Sequence, residues 1–173
     1  GELHTKIWKG LQEFNDIGLI KDLKTKMHLA QPEGCSPIVG AFETGSDHVT
    51  PVRPETLAKS LAIGNPAAGP YSLEVLKETD GTGVYAEENT IIDGIKLLAE
   101  TEGIFTETAG GVVISSLKKL VEQGKIKRDE VTVAYVTGNG LKTMEAMGDF
   151  VEPIQTTPDY ETFQTALAAA QKS

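Results

Sequence analysis

Residues 131–136 constrain the fold most, because this run is β-branched and almost wholly apolar. Such a pattern is typical of a strand buried on both faces, which occurs mainly in parallel sheets covered by helices. Two amphipathic helices are predicted before this strand, over residues 89–102 and 108–123, and a glycine follows each of them as a helix stop. The alternation of helices with short strands predicts an α/β fold of three αβα layers with a mostly parallel sheet.

The remaining periodicity adds shorter elements, with no internal repeat and no linker that would divide the chain. Helices are expected over residues 4–17, 37–43, 54–62, 71–78 and 160–171, strands over 26–31 and 84–86, and a surface loop over 44–54. In the helix at residues 108–123, the side chains expected to face inward are Val112, Val113, Leu117, Leu120 and Val121. We therefore expect residues 1–173 to form a single domain or a fragment of one.

The composition argues against several function classes. The 173 residues carry 25 acidic and 16 basic side chains, and the net charge of −9 disfavours binding to nucleic acid backbones. No stretch approaches the roughly 20 apolar residues of a membrane-spanning helix. The single cysteine, Cys35, excludes an internal disulfide and indicates a reducing compartment, so we expect a cytoplasmic protein. The three histidines lie far apart and lack metal-ligand spacing, so no metal site is expected.

Thr137, Gly138, Asn139 and Gly140 directly follow the predicted strand at residues 131–136. In open α/β sheets, ligands bind just outside the carboxyl ends of the strands. Glycines there let a ligand approach the backbone, and a threonine hydroxyl can donate or accept a hydrogen bond. The segment is therefore a candidate binding site. A tight turn between a strand and a helix favours the same residue types, and that alternative stays open.

Two further segments combine small residues with chain breakers. Glu107 and Ala109 stand at the start of the helix predicted over residues 108–123, where small side chains permit the close approach of a ligand or of another element. Asn65 and Pro66 lie in a dense cluster of turn-forming residues. Each segment is a candidate for contact with a ligand. The ordinary alternatives are a capped helix packed on a sheet and a plain turn.

Three motifs, taken in their order along the chain, resemble the threonine synthase family. The motifs are RPETLAKSLAIGNPAA, LAETEGIFTETAGG and VTGNGLK, and the similarity is collinear from Gly1 to about Met147. Residues 7–10 are also similar to the helix that follows the family's glycine-rich phosphate loop. The chain departs from the family at Thr108, where proline is usual, and at residues 110–111, where two glycines replace small polar residues.

The resemblance implies the C-terminal part of the large domain of a fold type II pyridoxal-phosphate enzyme. Such an enzyme converts O-phosphohomoserine and water to threonine and phosphate, as a carbon–oxygen lyase acting on phosphates. The resemblance also implies that the Thr137 hydroxyl faces the pyridine nitrogen of the cofactor and that Gly1 is the last glycine of the phosphate loop. The other implied positions are the turn beneath the ring, at Gly138, Asn139 and Gly140, and the substrate cleft, at Glu107, Ala109, Asn65 and Pro66.

The family's Schiff-base lysine and its small substrate-recognition domain lie upstream of the phosphate loop, and no lysine of this chain matches that lysine. The chain begins with Gly1 rather than Met. We therefore expect a fragment without a catalytic residue, inactive alone, that binds pyridoxal phosphate weakly or not at all and whose parent enzyme is a homo-oligomer. Two alternatives stay open: a related enzyme such as threonine dehydratase or cysteate synthase, and a non-catalytic domain that keeps the fold for association or ligand binding.

Overall fold

The computed structural model describes residues 1–148 and 154–170, which fall into two compact units. The first unit, Gly1–Thr143, contains α1 (Glu2–Asp16), β1 (Leu29–Pro32), α2 (Pro37–Glu43), α3 (Gly69–Glu78), β2 (Gly83–Ala86), α4 (Ile91–Glu102) and α5 (Thr108–Glu122). Single 3-10 turns lie at Glu33–Cys35, Lys59–Leu61 and Glu88–Thr90, and a further 3-10 segment covers Gly140–Ala146. The second unit, from Met144 onward, contains α6 (Tyr160–Ala170). The predicted α/β class is confirmed.

The two strands of the first unit pair in parallel, with Leu29 opposite Gly83 and Pro32 opposite Ala86. Because successive side chains of a strand point to opposite faces, the two faces of this sheet have different partners. One face packs through Leu29 on α2 and α3, whereas the other packs through Ala86 on α4 and α5. The sheet is therefore the middle of three layers, as the sequence pattern predicts.

Helices α4 and α5 pack with their backbones in close approach. A Cβ atom added at Gly94 would lie 2.4 Å from the carbonyl oxygen of Gly111, and one added at Gly111 would lie 2.4 Å from the carbonyl oxygen of Ile91. Only glycine fits this spacing. Gly110 and Gly111, where the sequence departs from the family that it resembles, therefore allow close packing: Gly111 lies against α4 and Gly110 lies against Thr106.

Helix α1 is anchored by its apolar stripe. Trp8 is buried and packs with Met27 and Val75, and its indole N–H donates to the Glu78 carboxylate at 3.1 Å. This contact fixes α1 against α3, because both the apolar surface and the polar edge of the indole are satisfied. It also holds Gly1, which precedes α1, beside the first turn of α3.

The start of the sheet depends on a neutral histidine. His28 Nδ1 accepts the N–H of Thr82 at 3.1 Å, and the N–H of Leu29 donates to the Thr82 carbonyl at 3.0 Å. Burial lowers the pKa of His28, and burial likewise lowers the pKa of His4. Protonation of His28 Nδ1 would remove the acceptor that holds Thr82.

The strand predicted over residues 131–136 is wrong for the described structure. These residues form no β-ladder, and the side chains of Val131 and Val133 are 97% and 70% exposed. A parallel strand needs a neighbouring strand to receive its hydrogen bonds. In the part of the chain that the structure describes, β1 and β2 pair only with each other. The apolar run therefore lacks the partner that its pattern implies.

The helix predicted over residues 54–62 is also wrong, since only the 3-10 turn Lys59–Leu61 forms there. The backbone of this segment bonds to distant groups instead. Glu55 N–H donates to Gly34 O at 2.9 Å, and Leu57 N–H donates to the Glu88 carboxylate at 2.8 Å. The second oxygen of Glu88 accepts the N–H of Gly34 at 3.0 Å, so one carboxylate joins two loops.

The other predicted helices and strands form with small shifts. Residues 37–43 form α2 as predicted, whereas β1 begins three residues later than expected and includes Pro32. Val121, expected to face inward on α5, is 52% exposed. The predicted end of the last helix at Gln171 lies outside the described residues. Across residues 1–148 and 154–170, no helix is long and apolar enough to cross a membrane.

Candidate functional site

The start of α5 and the turn at residues 138–140 lie side by side. Glu107 N–H donates to Gly138 O at 3.1 Å, and Gly140 N–H donates to Phe105 O at 3.1 Å, so the two segments run antiparallel. The structure therefore brings together two of the three segments that the sequence singled out.

Gly138 lies directly against buried side chains. The hydroxyl of Thr106 donates to Gly138 O at 3.0 Å, so this carbonyl accepts two hydrogen bonds. A Cβ atom at Gly138 would lie 1.8 Å from Glu107 Oε1, and one at Gly140 would lie 2.5 Å from the ring of Phe105. Close backbone approach, rather than a left-handed φ, requires glycine at both positions.

Glu107 is a buried carboxylate with a single basic partner in the described residues. Its side chain is 6% exposed, and its Oε2 lies 3.0 Å from Nζ of Lys142. Glu107 is also the N-cap residue of α5, a helix of 15 residues. The positive end of the α5 dipole and the Lys142 ammonium therefore both lie beside this carboxylate.

Thr108 begins α5 with one hydroxyl that is not satisfied. Its N–H donates to Thr143 Oγ1 at 3.3 Å, whereas its own Oγ1 is buried and has no hydrogen-bond partner within the described residues. Ala109 follows and is itself buried.

Thr137 stands at the open side of the turn. Its side chain is exposed, and its hydroxyl makes no hydrogen bond to the part of the chain that the structure describes. The next residues are held more firmly: Asn139 Oδ1 accepts the N–H of Leu141 at 2.9 Å, and Asn139 O accepts the N–H of Lys142 at 3.1 Å. The turn thus presents one free hydroxyl on a fixed backbone.

The remaining predicted site residues form a second group. Ser72 Oγ donates to Gly1 O at 3.3 Å, and a Cβ atom at Gly1 would lie 3.0 Å from Ala68 O. Pro66 is buried and its carbonyl accepts the N–H of Gly69 at 3.0 Å, whereas Asn65 is exposed.

Gly1 therefore adjoins the segment that contains Asn65 and Pro66. Among the described residues, no hydrogen bond or ion pair links this group to the one around Glu107.

Sequence reasoning missed three side chains that hold the turn: Thr106, Lys142 and Thr143. Thr106 precedes Glu107, and Lys142 ends the VTGNGLK motif, so both lay within segments already singled out. A threonine or a lysine in a sequence does not indicate which distant residue it will contact after folding. Two open surface grooves, one beside α2 and one between α4 and α5, contain none of the predicted site residues in their walls. In the described ranges, no cluster of three or more His, Cys, Asp or Glu side chains could hold a metal ion.

Comparisons with a family model and with individual known proteins agree on one family. The family described as "Pyridoxal-phosphate dependent enzyme" matches residues 1–138. The threonine synthase of Methanocaldococcus jannaschii is 39% identical over 163 residues, which cover 93% of this chain and 40% of that protein. The threonine synthase of Methanosarcina acetivorans is 39% identical over 149 residues, covering 86% of this chain and 36% of that protein. The threonine synthase of Bacillus sp. strain ULM1 is 37% identical over 138 residues, which cover 80% of this chain and 37% of that protein. The chain therefore spans about 40% of the length of these relatives.

Proposed function

This chain belongs to the family of pyridoxal-phosphate-dependent enzymes, and from that premise we propose that it is part of a threonine synthase. The parent enzyme would convert O-phosphohomoserine and water to threonine and phosphate. The similarity to three threonine synthases, each at least 37% identical over 80% or more of this chain, supports the proposal. The observation that carries it is the fixed turn at residues 138–140, which leaves the Thr137 hydroxyl free.

The residues present fit the edge of the cofactor ring. Thr137 offers a neutral group that can donate or accept one hydrogen bond, and nothing in the described chain occupies that hydroxyl. Gly138 and Gly140 keep the turn free of side chains, because a Cβ at either position would collide with a buried neighbour. We propose that Thr137 bonds the pyridine nitrogen and that Gly138, Asn139 and Gly140 lie beneath the ring.

Pyridoxal phosphate supplies an electron sink for carbanion chemistry when it is bound. The contribution of Thr137 is electrostatic. Its hydroxyl carries no charge, so it does not hold a proton on the pyridine nitrogen as a carboxylate would. A weaker electron sink suits the elimination and replacement steps that convert a phosphate ester into an alcohol.

The second group of residues would serve the other end of the cofactor. Gly1 precedes α1, and the N–H groups at the start of a helix are ready donors for a phosphate. Asn65 is exposed and available to a ligand, whereas Pro66 is buried and supports its loop. We propose Gly1 for the cofactor phosphate and Asn65, Pro66, Glu107 and Ala109 for the surroundings of the substrate.

The lysine that binds the cofactor covalently would come from a part of the enzyme outside this chain. This proposal is supported by the share of about 40% that the chain covers in its relatives. Borohydride reduction of the chain incubated with pyridoxal phosphate, followed by mass spectrometry, tests it. We expect no stable adduct on a particular lysine of this chain. A specific, stoichiometric adduct would contradict the proposal.

The activity itself is tested with the full-length enzyme. With O-phosphohomoserine we expect equal amounts of threonine and phosphate, and with threonine we expect no keto acid. Keto acid from threonine would favour a dehydratase, and no turnover of either substrate would favour a non-catalytic domain. We further propose a cytoplasmic enzyme that forms homo-oligomers, supported by the single, unpaired Cys35 and by the exposed apolar side chains at residues 131–135.

A further inference from the structure

We infer that Lys142 is a positioning residue, which holds the Glu107 carboxylate against Gly138 and thereby fixes the turn that carries Thr137. The inference rests on the proposed function, because it assigns Lys142 a role in binding the cofactor through that turn. Lys142 itself is 61% exposed, so its effect must pass through the groups that it contacts.

The Glu107 carboxylate needs this partner because it is buried. A buried charge is costly unless a counter-charge or hydrogen bonds compensate it. The start of α5 supplies part of the compensation, and Lys142 Nζ, 3.0 Å from Oε2, supplies the only basic side chain paired with it in the described residues. Oε1 meanwhile lies where a Cβ of residue 138 would be. A displaced carboxylate would therefore disturb Gly138 directly.

Lys142 is also tied to the turn through its own backbone. Its N–H donates to Asn139 O at 3.1 Å, closing the turn, while its side chain returns to Glu107. One residue thus joins the end of the turn to the start of α5. Thr137 directly precedes Gly138, which lies against the Glu107 carboxylate. The direction of the Thr137 hydroxyl therefore depends on the position of Gly138.

An exposed ion pair elsewhere on α5 provides the matched comparison. Lys118 and Glu122 lie 3.9 Å apart, and both side chains are 65% exposed. Exposed pairs of this kind contribute little to stability. Lys118→Met therefore removes the same charge from a similarly exposed lysine without exposing a buried carboxylate.

The experiment compares Lys142→Met, Lys142→Arg and Lys118→Met in the full-length enzyme. The measurements are the equilibrium affinity of the apoenzyme for pyridoxal phosphate, the fluorescence maximum of the bound cofactor, and kcat and KM. We expect Lys142→Met to weaken cofactor affinity roughly ten- to hundredfold, shift the fluorescence maximum and lower kcat. Lys142→Arg should restore the affinity to within about threefold, because it keeps the charge. Lys118→Met should behave as the unmodified enzyme.

Two results would overturn the inference: Lys142→Met with unchanged affinity and spectrum, or Lys142→Arg as impaired as Lys142→Met. If Lys142→Met does not fold, Glu107→Gln and the double variant Glu107→Gln/Lys142→Met replace it, since neither leaves an unpaired buried charge. In the Glu107→Gln background, loss of Lys142 should add less than about a twofold further loss of affinity. A larger further loss would contradict the inference. If the unmodified full-length enzyme binds no pyridoxal phosphate, the proposed function fails instead.

Discussion

Replacing Gly138 by alanine tests the packing beneath the candidate site. The φ angle of Gly138 is not left-handed, so alanine introduces no backbone strain and the effect is steric alone. The new Cβ would lie 1.8 Å from Oε1 and 2.3 Å from Cδ of Glu107. Either the carboxylate or the turn must therefore move.

The two responses have different costs. If Glu107 moves, its buried carboxylate loses its contact with the exposed Lys142, which costs about 3 kcal/mol, because an unpaired buried group costs more when it is charged. If the turn moves, Gly138 O loses the two hydrogen bonds that it accepts from Thr106 and Glu107, at about 1 kcal/mol each. The cheaper response sets the expectation. We expect the free energy of unfolding to fall by about 2 kcal/mol and Tm by about 4–8 °C.

Urea and thermal unfolding of the chain measure this effect, with Gly40→Ala as the control. Gly40 lies in α2, is exposed, and has no atom within 4 Å of an added Cβ. Alanine there should raise the free energy of unfolding by about 0.5–1 kcal/mol, because it replaces glycine inside a helix. The reasoning is refuted if Gly138→Ala changes stability by less than about 0.5 kcal/mol, the range of ordinary surface substitutions.

Three further changes probe the framework by the same unfolding measurements. Thr108→Pro places proline at the first position of α5, after a residue with φ −70° and ψ 173°. It removes an unpaired buried hydroxyl, and it also removes the N–H that donates to Thr143 Oγ1 at 3.3 Å. Because these effects oppose each other, we expect the free energy of unfolding to change by less than about 1 kcal/mol, and a larger loss would contradict the account. Glu88→Ala should lower the free energy of unfolding by about 2–3 kcal/mol, because it leaves two backbone N–H groups unpaired. Glu88→Gln keeps one acceptor, so it should lower it by about half as much. Equal losses would contradict the role of Glu88 in joining two loops. Burial lowers the pKa of His4 and His28, so the native state binds fewer protons than the unfolded state. The free energy of unfolding should therefore fall as the pH drops below about 6.5. Stability that rises between pH 7 and 5 would contradict this assignment.

The helices could be predicted because their signals are local. The apolar stripe that buries Ile91, Ile95 and Leu98 of α4 recurs at helical spacing, and Gly103 ends that helix with φ of +67°. Residues 131–136 carry an equally clear pattern, yet a strand exists only when a second strand pairs with it. The segment at residues 54–62 failed for a related reason, since its N–H groups bond to loops that are distant in sequence.

The candidate site was predictable as a set of motifs and not as an arrangement. The sequence selected Glu107 and the turn at residues 138–140, and the structure places them in contact. It could not show that Thr106 and Lys142 join these two segments, because both contacts bridge residues that meet only in the folded chain.

The central claim is that the turn at residues 138–140 presents Thr137 to the pyridine nitrogen of the cofactor in a threonine synthase. The most direct measurement is turnover of O-phosphohomoserine by the full-length enzyme and its Thr137→Val variant, with the free energy of unfolding of each. Valine keeps the shape and removes the hydroxyl. The account predicts threonine and phosphate in equal amounts, at least a tenfold lower kcat for the variant, and unchanged stability, because the Thr137 side chain is exposed and unbonded. A variant with the kcat of the unmodified enzyme would contradict the account.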